Sequence, residues 1–482
     1  VGAVGLGWLA VGAYATIALA LAWRGARKTG GVASYAVGNR DLPAPVVGLS
    51  LAAQLTSVAT FVINPGLVHA FGLSALLGYG VFAGLGIGFG LVLLSPPFRA
   101  HGARVRALSV PQWIGARYES PALRVLFAAL SLGLVSFAVL IVVALSLVLA
   151  QLLGEPPERV AVGLVVFVLA GVLIGGATGH AWTNAAQAMV MLVVACVLIG
   201  GGLPHLGSEA GLLARLRAID PVLASPTNPV SPYFRNAFEA FFCNAIVGFA
   251  IVCQPHVLGK ALYLREERQL RPYLATAIAA GVVFTGVLVV GLWARLELPP
   301  GPIAIDRVVP TWIGMSFTPA VQVLIAVGML CAGLSTLEGI LLALSSILAV
   351  DVHPLLRGGG GERDALRFGR FGLCLLGLVI VALAFWQLKH PTGGSVAIFA
   401  QYGVYLLFTV SFVPLFCGMF LPGVGRRLVT GGVLAALGGY LLTAVLRLTP
   451  LANNPAVLAT FGIGAGAAVI AAGLAWKRLG RT

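Results

Sequence analysis

Apolar runs of about 20 residues, the length a helix needs to cross roughly 30 Å of hydrocarbon, recur along this chain from one end to the other. No other feature constrains the fold as strongly, because backbone polar groups inside a bilayer must be satisfied within the protein. The chain is therefore expected to be an all-α integral membrane protein. About thirteen spans are expected, centred near residues 13, 55, 85, 136, 167, 192, 247, 285, 333, 378, 407, 437 and 466. With 59% hydrophobic and only 9% charged residues, the composition lies outside the balance of soluble domains.

The net charge of +15 would suggest nucleic acid in a soluble protein, but here the basic residues gather in alternate loops. The clusters are Arg24, Arg27 and Lys28; Arg99, Arg104, Arg106 and Arg117; Lys260, Arg265, Arg268 and Arg271; Arg357, Arg363, Arg367 and Arg370; Arg426 and Arg427; and Lys477, Arg478 and Arg481. Read by the positive-inside rule, these are cytoplasmic. The expectation is a multi-pass protein of the cell (inner) membrane, N-terminus outside and C-terminus in the cytoplasm. No basic surface is left for nucleic acid, and the lipid bilayer is the expected macroscopic partner.

The first span lacks a basic leader and a small-residue cleavage site, so it reads as a mature helix. All six cysteines fall in spans and read as small packing residues. The longest loop, about residues 204 to 235, is too short for a soluble domain, which leaves the work to the membrane part. "RGGGGERD" (357 to 364) lacks the Lys-Ser/Thr of a phosphate loop, and no HExxH or CxxC pair occurs. Neither enzyme chemistry nor a cofactor is expected. Gly80, Gly84 and Gly88 recur every four residues, which predicts a ridge for close helix contact rather than a nucleotide fingerprint.

Polar groups inside three spans point to a function. In "CAGLSTLEGILLALSS" (331 to 346), leucines 334, 337, 341 and 344 share one helical face, while Ala332, Ser335, Thr336, Glu338, Gly339, Ser345 and Ser346 share the other. A carboxylate facing lipid costs several kcal/mol, so the second face must look into protein or a hydrated cavity. In "SLAAQLTSVATFVINPG" (50 to 66), Gln54, Thr56, Ser57, Thr60 and Asn64 are many polar groups for an anchoring helix, and Pro65-Gly66 is expected to interrupt it. The seventh span carries Asn236, Glu239, Cys243 and Asn244 on one face, and Gln254-Pro255 is expected to break its end. Two interrupted spans five positions apart suggest two five-helix repeats around a midplane site, a transporter plan. Freed carbonyls and the hydroxyls of Ser335 and Thr336 are hard, neutral oxygens able to replace water around a small alkali cation.

At these residues the chain resembles the solute:sodium symporters, with "NPGLVHAFG" most similar to the proline and pantothenate branch. The resemblance runs through "GNRDLP" (38 to 43), "SVPQWIGARY" (109 to 118), "WTNAAQ" (182 to 187), "CQPHVLGK" (253 to 260), "LSTLEG" (334 to 339) and "AVDVH" (349 to 353). It implies thirteen helices with an inverted five-plus-five repeat of the leucine-transporter type. The implied division is 1–40 for the extra helix and first loop, 41–203 and 236–425 for the repeats, 204–235 for an external loop, and 426–482 for two last helices and the tail. It also implies sodium as coupling ion, bound by the carbonyls of Ala53, Thr56 and Ala332 and the hydroxyls of Ser335 and Thr336. Solute-binding candidates by the same resemblance are Gln54, Thr60, Asn244, Phe249, Gln401 and Tyr402.

Two departures matter. Where some members build a second sodium site from hydroxyls and an Asp in "WTDxxQ", this chain has Glu338, Gly339 and Asn184; and Leu55 stands where proline carriers have Asp. Glu338 can supply the charge of a second cation site opposite Asn184, carry a proton, or pair with a cationic solute, with no intramembrane Lys or Arg expected beside it. The leading expectation is sodium-driven import of a small carboxylate or amino-acid-like solute. Proton coupling through Glu338 and a solute-sensing module are the alternatives.

Overall fold

The structure, a computed structural model, describes residues 3–207, 211–358, 361–390 and 396–479. Arg481 and residues 359 and 360 of the glycine-rich turn lie outside the described residues. Among the described residues all regular structure is helical. The helices used below are α1 (Val4–Ala26), α2 (Ala44–Leu55), α3 (Ala59–Phe71), α4 (Leu73–Arg104), α5 (Pro121–Leu153), α6 (Pro157–Gly201), α7 (Phe238–Ile251), α8 (Pro255–Tyr263), α9 (Glu267–Glu297), α10 (Pro319–Arg357), α11 (Glu362–Lys389), α12 (Gln401–Phe420), α13 (Arg426–Leu446) and α14 (Pro455–Leu479). Ten of the helical stretches are long and apolar enough to cross a bilayer, or up to 12 spans if each of two bent pairs counts as one.

The 45-residue α6 is two helices in effect. Gly176 interrupts it with φ 52° and ψ −157°, a left-handed conformation that side chains rarely adopt. That corner separates the spans expected near residues 167 and 192.

The bent pairs are α2 with α3, at 58°, and α7 with α8, at 57°. The first break falls at Thr56–Val58, about two turns earlier than Pro65-Gly66 suggests. Thr56 is extended (φ −104°, ψ 94°), and the hydroxyl of Ser57 accepts from the Ala59 N–H to start α3. Pro65 continues the helix because a π-helical turn, Ala59–Ile63, precedes it and widens the ladder around the missing N–H. The second break falls where expected: Gln254 is extended and Pro255 opens α8, a position where its missing N–H is harmless.

Between helices in lipid, close packing and hydrogen bonds replace the hydrophobic drive of water. The glycine ridge of α4 does this in a different register from the one expected. A Cβ on Gly86 would lie 2.2 Å from the Ala245 carbonyl oxygen, and one on Gly90 2.9 Å from that of Phe249, whereas Gly88 has nothing within 4 Å. The face of α4 turned to α7 is therefore Gly86–Gly90. Helix α10 sits at the centre, touching α1, α2, α5, α6, α8 and α11. Its leucine face is buried against protein, with Leu334, Leu337, Leu341 and Leu344 all inaccessible.

Candidate ion and solute site

At the first break the last carbonyls of α2 lose their helical partners and meet the hydroxyls of α10. Ser335 Oγ donates to Ala53 O at 2.9 Å and to Ala332 O at 3.0 Å. Thr336 Oγ1 lies 3.0 Å from Gln54 O and 3.3 Å from Ala332 O. All of these residues are buried. Ala53, Ala332, Ser335 and Thr336 thus come together as the sequence suggested. Thr56 stands at the same break, and its N–H donates to Ala53 O at 3.2 Å, but the carbonyl that faces Thr336 belongs to Gln54. A cluster of carbonyl and hydroxyl oxygens, dry and without formal charge, is the chemistry that suits a weakly held alkali ion.

One turn along α10, Glu338 points toward the second half of α6. Its Oε2 is 3.5 Å from His180 Nδ1, and its Oε1 is 3.4 Å from Gln187 Nε2. Asn184 Nδ2 donates to the Ser335 carbonyl at 3.2 Å, which ties this group to the first. The oxygens Asn184 Oδ1 and Gln187 Oε1 are buried without a hydrogen-bond partner. Unpartnered acceptors beside a carboxylate are a donor set that a hard cation satisfies. Gly339 is required here by close approach: a Cβ on it would fall 1.8 Å from Gln54 Nε2.

The model of the sodium:solute symporter family matches residues 35–437. The chain belongs to that family. It is thus a sodium-coupled symporter for a small organic solute and a multi-pass membrane protein. Among relatives, the sodium/pantothenate symporter of Haemophilus influenzae is 22% identical over 363 residues, 74% of this chain and 73% of its own length. The sodium/pantothenate symporter of Escherichia coli is 24% identical over 275 residues, 55% of each chain. A substrate-bound, outward-open Na+-coupled sialic acid symporter superposes with a TM-score of 0.77 at 15% identity, covering 96% of both chains. A nucleobase-cation-symport-1 family transporter, closed around bromovinylhydantoin, gives 0.55 at 16% identity, covering 92% of this chain and 93% of its own. The fold is that of the leucine-transporter type.

One expectation about the symporter needs correction. The basic-loop pattern places Lys260 in a cytoplasmic loop and leaves no Lys or Arg near Glu338. Instead Lys260 is buried at the end of α8, its ammonium donating to Ser50 Oγ of α2 at 2.8 Å and lying 4.9 Å from the Tyr263 ring centre. With Gln54, His180 and His256 it lines a cavity of about 40 Å³, room for water rather than solute. The physical reason is the Pro255 bend, which turns α8 back under α2 instead of out into a loop.

The solute candidates separate. Gln54 lines the cavity beside Lys260, with its Oε1 unpartnered. Thr60 is half-buried in the first turn of α3. Asn244 donates to Glu239 O at 2.9 Å and Ala240 O at 3.1 Å within its own helix, leaving Oδ1 unpartnered. Gln401 hydrogen-bonds Tyr79. Phe249 packs tilted against Phe89 and edge-on to Phe412 and Phe416, and the Tyr402 hydroxyl donates to Asn453 O at 3.0 Å, so both are engaged in packing. Sequence reasoning passed over Tyr14, His180, Gln187, His256 and Lys260. A usable signal existed for part of this set: His180, Asn184 and Gln187 follow the i, i+4, i+7 spacing of one helical face.

Proposed function

We propose that this symporter imports a small carboxylate-bearing or amino-acid-like solute by alternating access, driven by sodium held between Ala53, Gln54, Thr56, Ala332, Ser335 and Thr336. The observation that carries the reading is the pair of α10 hydroxyls set against the freed carbonyls of α2. A cation entering there turns the hydroxyl protons outward and draws the lone pairs inward, so binding costs no side-chain movement. Glu338 and Asn184, with the free oxygen of Gln187, form the second cation site. The solute-facing set is Gln54, Thr60, Asn244 and Gln401, and the repeats 41–203 and 236–425 each place a bent pair at the centre. The N-terminus lies outside and the C-terminus in the cytoplasm of the cell membrane, following the basic loops.

Pantothenate, a carboxylate, is the first solute to test because it is named for both relatives. The double variant Ser335→Ala, Thr336→Ala removes both hydroxyls and is expected to raise the sodium concentration for half-maximal uptake into proteoliposomes by at least tenfold. An unchanged sodium response would remove the assignment. A proton carried by Glu338 in addition to sodium is the second reading, favoured by its contact with His180. Replacing sodium by choline at fixed pH abolishes uptake, and Glu338→Gln removes a pH dependence of sodium-driven uptake only under the second reading.

A further inference from the structure

Tyr14 belongs to α1, the helix outside the expected repeats, yet its hydroxyl is 2.6 Å from Gln187 Nε2. The same nitrogen is 3.4 Å from Glu338 Oε1, and the other end of the amide, Oε1, is buried without a partner. α1 is pressed against α6: Cβ atoms built on Gly175 or Gly179 would each lie 3.1 Å from Ala22 Cα. Glu338, His180 and Thr183 share a small cavity with Ala18, Leu19 and Ala22 of α1. The first helix is therefore a wall of the carboxylate pocket.

A primary amide presents a donor end and an acceptor end of nearly equal size, while a phenol both donates and accepts. With its nitrogen toward Glu338, Gln187 donates to carboxylate and phenol together. Turned over, the amide sets its oxygen beside the carboxylate, a pairing that only a cation between them makes favourable, and the phenol then donates to that oxygen. Tyr14 serves both orientations without moving. A phenyl ring serves neither.

We propose that Tyr14 is a positioning residue for the second cation, holding Gln187 as a donor to Glu338 in one state and as a cation ligand in the other. The proposal rests on reading Glu338 and Asn184 as a second cation site. Tyr14→Phe keeps the ring contact with Phe167, at 6.0 Å between centroids, and removes only the hydroxyl. Sodium binding to purified protein, followed by thermal shift and tryptophan fluorescence, is expected to show two phases: one lost in Ser335→Ala, the other in Glu338→Gln. Tyr14→Phe should weaken the Glu338-dependent phase about tenfold, the size of one hydrogen bond in a charged site, and leave the other unchanged. Gln187→Asn, which withdraws the amide without touching α1, should show the same selective loss. In a Gln187→Leu background, Tyr14→Phe should have no further effect. Equal weakening of both phases, or a Tyr14 effect that persists in that background, would reduce the hydroxyl to a packing role and overturn the proposal. Absence of any Glu338-dependent phase in the unmodified protein would instead overturn the second-site reading, and the proposal with it.

Discussion

Gly339 offers the sharpest test of how tightly the site is built. A methyl group there would sit 1.8 Å from Gln54 Nε2, 2.3 Å from its Cδ and 2.9 Å from its Cγ, so the whole side chain must leave its place. Gln54 is buried, and its main-chain carbonyl is the one that faces Thr336. Gly339→Ala is therefore expected to destabilise the protein by about 1–3 kcal/mol, the usual cost of overfilling a packed interior. If the displaced side chain pulls the carbonyl from Thr336, sodium affinity falls by a further roughly fivefold, one hydrogen bond's worth. The assay is thermal unfolding in detergent with and without sodium, made on Gly339→Ala, Gln54→Ala and the double variant. Truncating Gln54 clears the space, so the double variant should be more stable than the sum of the two singles by most of the clash energy. Strict additivity, or an unperturbed Gly339→Ala protein, would refute the steric argument.

Other expectations follow from the same geometry. Gly176→Ala forces a side chain into a left-handed corner and should cost about 1–3 kcal/mol, read as a lower unfolding temperature. Asp351 accepts from Arg124 Nε at 2.7 Å and from Ser109 Oγ at 2.6 Å, so Asp351→Ala leaves the guanidinium unpaired; about 3 kcal/mol of stability should go, the low end for a broken buried pair because Arg124 is 31% exposed. Lys260→Met removes an ammonium near the proposed cation sites while keeping the volume, and should lower the sodium concentration for half-maximal binding roughly threefold, measured by the same thermal shift.

What could be read from the chain alone was whatever depends on local pattern. Span positions, the Gln254-Pro255 break and the meeting of Ser335 with Ala53 all follow from periodicity, proline chemistry and resemblance. What could not be read depends on how a bend aims the segment after it. Lys260 follows a proline in a basic stretch, and nothing nearby announces that its partner is Ser50, 210 positions earlier in the chain. The break in the second span was misplaced because a π-helical turn absorbs Pro65, a device without a sequence signature. Tyr14 sits among apolar residues of the first span, and only the docking of α1 on α6 brings its hydroxyl to Gln187. The register of the glycine ridge was ambiguous for a related reason: α4 carries two glycine rows, and the choice belongs to α7.

The twin bends of 58° and 57° bear on how the carrier moves. Both α2 and α8 rest on α10, so the helix bearing the Ser335 and Thr336 hydroxyls is a common fulcrum for two elbows distant in sequence. An arm swung at such an elbow ruptures few ladder hydrogen bonds, since the joint residues already lie outside the helical pattern. Cross-linking either joint should then freeze the carrier, while cross-links between α13 and α14, which pack on α7 but span neither joint, should leave its turnover intact.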